Sequence, residues 1–187
     1  MAQDVIPARP WLRPVIHAGT GFGALALGVL PHPGALSCAA LGILAGWVVF
    51  PLTGFDRLLR RPGEPWLGGL RTYPVAVVGL VALLPPAEAA AAWGVLAFGD
   101  AAAALVGRAW PARPLLGHPK ATLPGTAAHG LVGWAAAWLL GVAVAALGPA
   151  TGLVDPGAAP GILATGLAAG AAVLVDLALR LPDDNLP

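Results

Sequence analysis

The sequence predicts an all-α, polytopic membrane protein, a compact bundle of about six transmembrane helices forming a single domain over residues 1–187. Three observations predict it. Hydrophobic residues make up 58% of the chain and charged ones only 10%, with a mean hydropathy of +0.80, outside the usual range of water-soluble domains. The apolar residues gather in stretches of membrane-crossing length, punctuated by Pro and Gly. Ala, Leu, Val and 26 Gly dominate those stretches, which suits helices whose backbones approach closely within lipid.

The first stretch, 14–30, follows Arg9 and Arg13 and shows no convincing cleavage site, so it is read as a helix and not as a removed signal. The second, 34–50, follows Pro31-His32-Pro33 and holds Cys38; one cysteine excludes an intrachain disulfide and a cysteine-based metal cluster. The third, 67–84, starts with Arg71 and contains Pro74, so it is expected to enter the bilayer late or to kink at Tyr73-Pro74. The fourth, 87–107, follows Pro85-Pro86 and contains Gly99-Asp100. The fifth, 125–147, stops at Gly148-Pro149, and the sixth is 158–181.

Six crossings put both termini and the loops at 51–66 and 108–124 on one side. All 10 Lys and Arg residues fall on that side and the opposite turns have none, so the positive-inside rule makes it cytoplasmic, in the cell membrane. A net charge of +1, without a basic stripe, argues against nucleic acid as a partner.

The same map collects the unusual polar residues at the cytosolic interface: His17, Asp100, His129 and Asp176 near helix ends, then Asp183, Asp184 and Asn185. A channel or proton pump would spread ionisable groups through the membrane's depth. Each group has two readings. Asp100, flanked by Gly99 and followed by Gly107-Arg108, is either a metal-holding acid or a helix-end acid paired with an arginine. The segment from Gly117 through Lys120, Thr122, Gly125 and Thr126 is either an anion cradle at a helix start or a connector with a snorkelling lysine and a Thr cap. Arg13 and His17, four apart on one helix face, either meet phosphate together or serve as anchor and packing residue. Asp183-Asp184-Asn185 is either a hard-oxygen metal site or a solvated tail.

Read in order, these elements resemble the polyprenol/dolichol, phytol and diacylglycerol kinase family of CTP-dependent membrane lipid kinases. The resemblance covers nearly the whole chain: Arg13-Pro14-Val15-Ile16-His17-Ala18-Gly19-Thr20-Gly21, Tyr73-Pro74, the Gly-Asp-Ala-x-Ala-x-x-x-Gly-Arg element at Gly99 to Arg108, the Lys120 to Thr126 element, and Asp183-Asp184-Asn185. The chain departs from the family at Pro14 and Ala121, where lysines are common, at Asp176, where Glu is expected, and in stopping at Pro187 where relatives continue into another apolar segment.

The resemblance implies phosphoryl transfer from CTP, or another nucleoside triphosphate, to an isoprenoid alcohol or diacylglycerol at the cytosolic interface. It implies Mg2+ on Asp100, Asp183 and Asp184, with one of these acids or His17 handling the lipid hydroxyl. Arg13, Gly99, Gly107, Arg108, Lys120, Thr122, Gly125 and Thr126 would bind the nucleotide phosphates, with Asp176, Asn185 and His129 in support. Homo-oligomerisation is compatible with this reading. Two other readings stand beside it. The Pro119 to Gly125 stretch is similar to a loop of CTP:phosphatidate cytidylyltransferases, although Pro124 replaces that loop's Glu. A non-catalytic membrane scaffold or transporter subunit would also account for the Gly/Ala packing.

Overall fold

The computed structural model describes residues 11–59, 68–115, 121–152 and 159–178, and every regular element among them is helical. Helix α1, Leu12–Gly21, continues as a 3-10 segment, Phe22–Gly28. It is followed by α2 (His32–Thr53), the short α3 (Asp56–Leu59), α4 (Gly69–Leu83), α5 (Pro86–Ala109), α6 (Leu123–Thr151) and α7 (Ile162–Ala178). Three helices are long and apolar enough to cross a membrane: His32–Thr53, Pro86–Ala109 and Leu123–Ala150. Gly69–Leu83 and Ile162–Val175 are shorter apolar helices.

Prolines open these helices and glycines close them. Pro sits in the first turn of α2, α5 and α6, where the missing N–H would have had no intrahelical acceptor. Gly54 after α2 and Gly152 after α6 take φ of 73° and 63°, the left-handed conformation that ends a helix at little cost only without a Cβ. Inside α2, Pro51 cannot bond the carbonyl four residues back, and the preceding turn, Ala45–Val49, is wound as a π-helix.

Burial is inverted relative to a water-soluble bundle. The interior is mostly alanine, with Ala24, Ala87, Ala90 and Ala97 fully enclosed, while Leu163, Leu167 and Leu174 form a stripe on α7 that is 68–78% exposed. In water such a stripe would be an aggregation liability; a lipid surrounding would solvate it.

The α5–α6 pair shows why the interior is so small. Every fourth residue of α6 along one ridge is Gly125, His129, Gly133, Ala137, Gly141, and this ridge lies against α5. A Cβ added at Gly94 would stand 3.0 Å from the Ala136 backbone, and one at Gly133 would stand 3.6 Å from the Gly99 Cα. The two helices touch backbone to backbone, and His129 is the one large side chain in the ridge. At the other edge, α1 crosses α5 where Gly21 meets Phe98, and its 3-10 end packs Gly28 onto Val144 of α6.

Helix α4 carries its proline inside. It begins at Gly69, ahead of Arg71, and runs as one helix through Pro74 to Leu83. The Leu70 carbonyl, which Pro74 cannot bond, faces α2 at Gly46, where a Cβ would come within 3.2 Å of it. Arg71 tolerates its place because it is enclosed by protein: it is 1% exposed, its guanidinium lies 3.9 Å from the buried Asp56 of α3, and its carbonyl accepts from Trp47 Nε1 at 3.2 Å. A carboxylate and a guanidinium buried together offset each other's desolvation, which neither would survive alone.

Candidate functional site

The site begins with an irregularity in α5. Between Val95 and Gly99 the helix is wound as a π turn, a feature that single inserted residues produce and that recurs at functional sites. The Leu96 carbonyl in this turn accepts a hydrogen bond from His17 Nε2 at 3.1 Å. A carbonyl only accepts, so this nitrogen carries the proton. The Nε2 proton of His17 is thus engaged by the Leu96 backbone, which fixes the ring on α5.

A directional hydrogen-bond chain holds His17 in place. Trp93 Nε1 can only donate, and it donates to the Tyr73 hydroxyl at 2.8 Å. Tyr73 in turn meets Thr20 Oγ1 at 2.8 Å, and Thr20 donates to the His17 carbonyl at 2.6 Å. The Tyr73 proton therefore points to Thr20, and all three side chains are satisfied in sequence from α5 through α4 to α1. The Tyr73 ring also lies against the His17 imidazole, centroids 3.9 Å apart. Sequence reasoning singled out Tyr73 only through Tyr73-Pro74, took in Thr20 only as part of the Arg13 to Gly21 element, and left the Trp residues, Trp93 among them, as structural. The polar tip of a Trp within an alanine-rich helix was the available signal.

Asp100 follows directly after the π turn. Its carboxylate is 47% exposed and stands between two imidazoles: Oδ2 is 3.9 Å from His17 Nε2, and Oδ1 is 3.5 Å from His129 Nδ1. His129 is only 9% exposed at its side chain. The glycine before Asp100 explains how it fits, because a Cβ on Gly99 would approach His129 Cδ2 to 3.0 Å and Nε2 to 3.1 Å. The Gly-Asp dipeptide thus combines an acid with the notch that seats its neighbour.

Two cavities meet at this carboxylate. One, about 290 Å³, lies between α1, α4 and α5 and is lined by Arg13, His17, Thr72, Tyr73 and Asp100. The other, about 520 Å³, lies between α4, α5, α6 and α7 and is apolar apart from Asp100 and His129. A third, about 240 Å³, opens between α1, α2 and α4 on the far side of the His17–Tyr73 stack, with Cys38, Gly42 and Val77 in its wall. Arg13 reaches it too, its guanidinium lying over Gly69, where a Cβ would be 2.6 Å from Nη2.

The remaining candidates divide into a second group and an undescribed one. Gly107, Thr122 and Gly125 come together where α5 passes the start of α6: a Cβ on Gly107 would stand 3.2 Å from Thr122 Oγ1, and one on Gly125 would stand 3.0 Å from the Ala103 carbonyl. Thr122 caps α6, its hydroxyl accepting from Gly125 N–H at 3.3 Å, and Thr126 N–H bonds the Thr122 carbonyl at 2.8 Å. The bridge between Pro114 and Thr122, with Leu115 N–H donating to Ala121 at 2.7 Å, draws together the two ends of the 116–120 segment. Gly107 is seven residues past Asp100, so this group sits about 10 Å along α5 from the carboxylate, with Arg108 exposed beside it. Lys120, Asp183, Asp184 and Asn185 lie outside the described residues, as does the side chain of Asp176.

Among the described residues no group of three or more His, Cys, Asp or Glu side chains is placed to hold a metal ion. Asp100 alone fits the way magnesium usually sits beside nucleotides, on one or two carboxylates with phosphate and water oxygens completing the shell. No family model, no curated protein and no solved structure matches the chain.

Proposed function

We propose that this chain is a membrane lipid kinase, which moves the terminal phosphoryl group of a nucleoside triphosphate, CTP by resemblance, to the hydroxyl of an isoprenoid alcohol or diacylglycerol. The observation that carries this reading is the position of Asp100: a half-exposed carboxylate shared by a cleft holding a cation, Arg13, and by an apolar groove. A water-soluble anionic donor and a lipid acceptor need such a meeting point. The reading includes six crossings, with both termini and the site on the cytoplasmic side of the cell membrane.

In this reading Arg13, and beyond the described residues Lys120, neutralise the donor's phosphates, and Arg108 with the Gly107–Thr122–Gly125 corner borders their approach. His17, its Nε2 proton engaged by the Leu96 carbonyl, stands as a fixed wall of the cleft. Asp100 accepts the proton as the lipid oxygen bonds to the terminal phosphorus and the bond from that phosphorus to its bridging oxygen breaks, releasing a nucleoside diphosphate. Magnesium, when bound by Asp100 with Asp183 and Asp184, would neutralise charge on the phosphates.

The test is incubation of purified protein with CTP or ATP labelled at the terminal phosphate, magnesium and a panel of lipid alcohols. Label in a lipid monophosphate, lost in Asp100→Asn, is the expected result. Release of pyrophosphate with a CDP-lipid would instead assign a cytidylyltransferase, and absence of any nucleotide-dependent product would leave a non-catalytic membrane protein.

A further inference from the structure

Resting on that reading of Asp100, we infer that the groove between α4, α5, α6 and α7 is the acceptor's tail site, and that it selects neutral long-chain alcohols over lipid acids. Three cavities adjoin the His17–Tyr73–Asp100 group and compete for a hydrocarbon chain, and what stands at the polar edge of each separates them. The 290 Å³ cleft carries Arg13, His17 and Thr72 and suits an anion. The 240 Å³ pocket beside Cys38 is mostly apolar, but it shares the Arg13 cation and His17 with the cleft, and the hydroxyls of Thr20 and Tyr73 in its wall are already engaged in the chain that runs from Trp93 to the His17 carbonyl, so no acceptor there is placed for an alcohol proton. The 520 Å³ groove has apolar walls from Ala76, Leu80, Ala168, Ala172 and Val175, and its polar edge is Asp100 and His129.

The carboxylate's geometry fits this division. Oδ1 is the oxygen near His129, which lines the groove and not the cleft; Oδ2 is the oxygen near His17, which lines the cleft and not the groove. One oxygen therefore serves each cavity. A carboxylate offers about four lone-pair sites and no proton, so Oδ1 accepts a hydrogen bond from an alcohol and repels a second carboxylate or a phosphate monoester. The small side chains of α7 leave room for a chain entering sideways from lipid. Once phosphorylated, the same molecule carries an anion against Asp100, which favours its departure.

The experiment measures occupancy and needs no turnover. The chain's one natural thiol, Cys38, reports on the rival pocket, and a thiol introduced by Ala168→Cys or, as a second variant, Ala172→Cys reports on the groove. Full-length protein in detergent is labelled with a maleimide, without nucleotide, in the presence of a prenyl alcohol, the matching prenyl carboxylic acid or the matching hydrocarbon. Labelling of each thiol is followed by mass spectrometry. At ten times its dissociation constant the alcohol is expected to slow labelling at the groove about tenfold and to leave Cys38 unchanged, with the acid and hydrocarbon weaker. Adding Asp100→Asn is expected to remove the discrimination against the acid. Protection confined to Cys38, equal protection by alcohol and hydrocarbon, or no protection in either groove variant would each overturn the assignment. A protein that protects the groove thiol but transfers no phosphoryl group loses the kinase reading and keeps the groove; one that transfers without protection loses the groove alone.

Discussion

The two sides of Asp100 are built by opposite means. Toward α6, the contact is made by removing side chains, so that Gly94, Gly99, Gly133 and Gly125 bring two backbones together and leave a notch for His129. Toward α1 and α4, it is made by side chains bonded end to end, Trp93 to Tyr73 to Thr20, with Arg71 and Asp56 buried nearby. One side is fixed by shape and fails when an atom is added. The other is fixed by directed polar contacts and fails when an atom is removed.

Substitutions can break this contrast, beginning on the polar side. Asp56→Ala leaves the Arg71 guanidinium buried without its carboxylate and is expected to cost about 4 kcal/mol, read from equilibrium unfolding in mixed micelles; a loss below 1 kcal/mol would mean that the pair does not hold α3 to α4. Asp100→Asn belongs to neither framework and probes what both support. Phosphoryl transfer is expected to fall by about 10²-fold, equivalent to about 2.7 kcal/mol, with the unfolding midpoint unchanged. Equal activity in wild type and variant would remove Asp100 from the chemistry.

The shape-fixed side is tested by adding one methyl group. Gly94→Ala presses a Cβ against the Ala136 backbone, which cannot yield as a flexible side chain would, and is expected to cost about 2 kcal/mol. Gly79→Ala on α4, where nothing lies within 4 Å, is expected to gain about 0.5 kcal/mol. If the two alanines behave alike, backbone contact is not what holds α5 to α6. The smallest loss is expected from Tyr73→Phe, which breaks the chain at its middle link for about 1 kcal/mol. Thr20→Val in the Tyr73→Phe background should then add much less than it does alone, since both remove the same bond.

Those residues also mark how far the sequence could be read. The helical class and the starts of two elements were legible because Pro31 and Pro85 act locally: the stretch expected at 87–107 is the helix Pro86–Ala109, and 34–50 is His32–Thr53. Gly148-Pro149, expected to stop the fifth stretch, lies inside α6 instead, which runs on to Thr151 and ends at the left-handed Gly152. Asp100 and His17 were each legible as candidates at one depth, because both are costly in apolar runs, but their approach to one another was not. Arg71 was read as a reason for the third stretch to enter the bilayer late, since its partner, Asp56, lies across a segment with no periodicity to follow. The Trp93–Tyr73–Thr20 chain joins three helices 20 to 53 residues apart in sequence, and no local pattern encodes such a bond. The ridge Gly125, His129, Gly133, Ala137, Gly141 was legible in principle, as a fourfold repeat of small residues broken once.

The π turn at Val95–Gly99 makes length itself informative. Each residue of an α-helix turns the chain by about 100°, so the extra one wound in here sets the azimuth of everything after it. Two chains alike at every chemically active position but differing by one residue in this turn would point their acids in different directions. Ancestry in such proteins is then better traced through insertions and deletions around the Gly-Asp pair than through the identity of the acid.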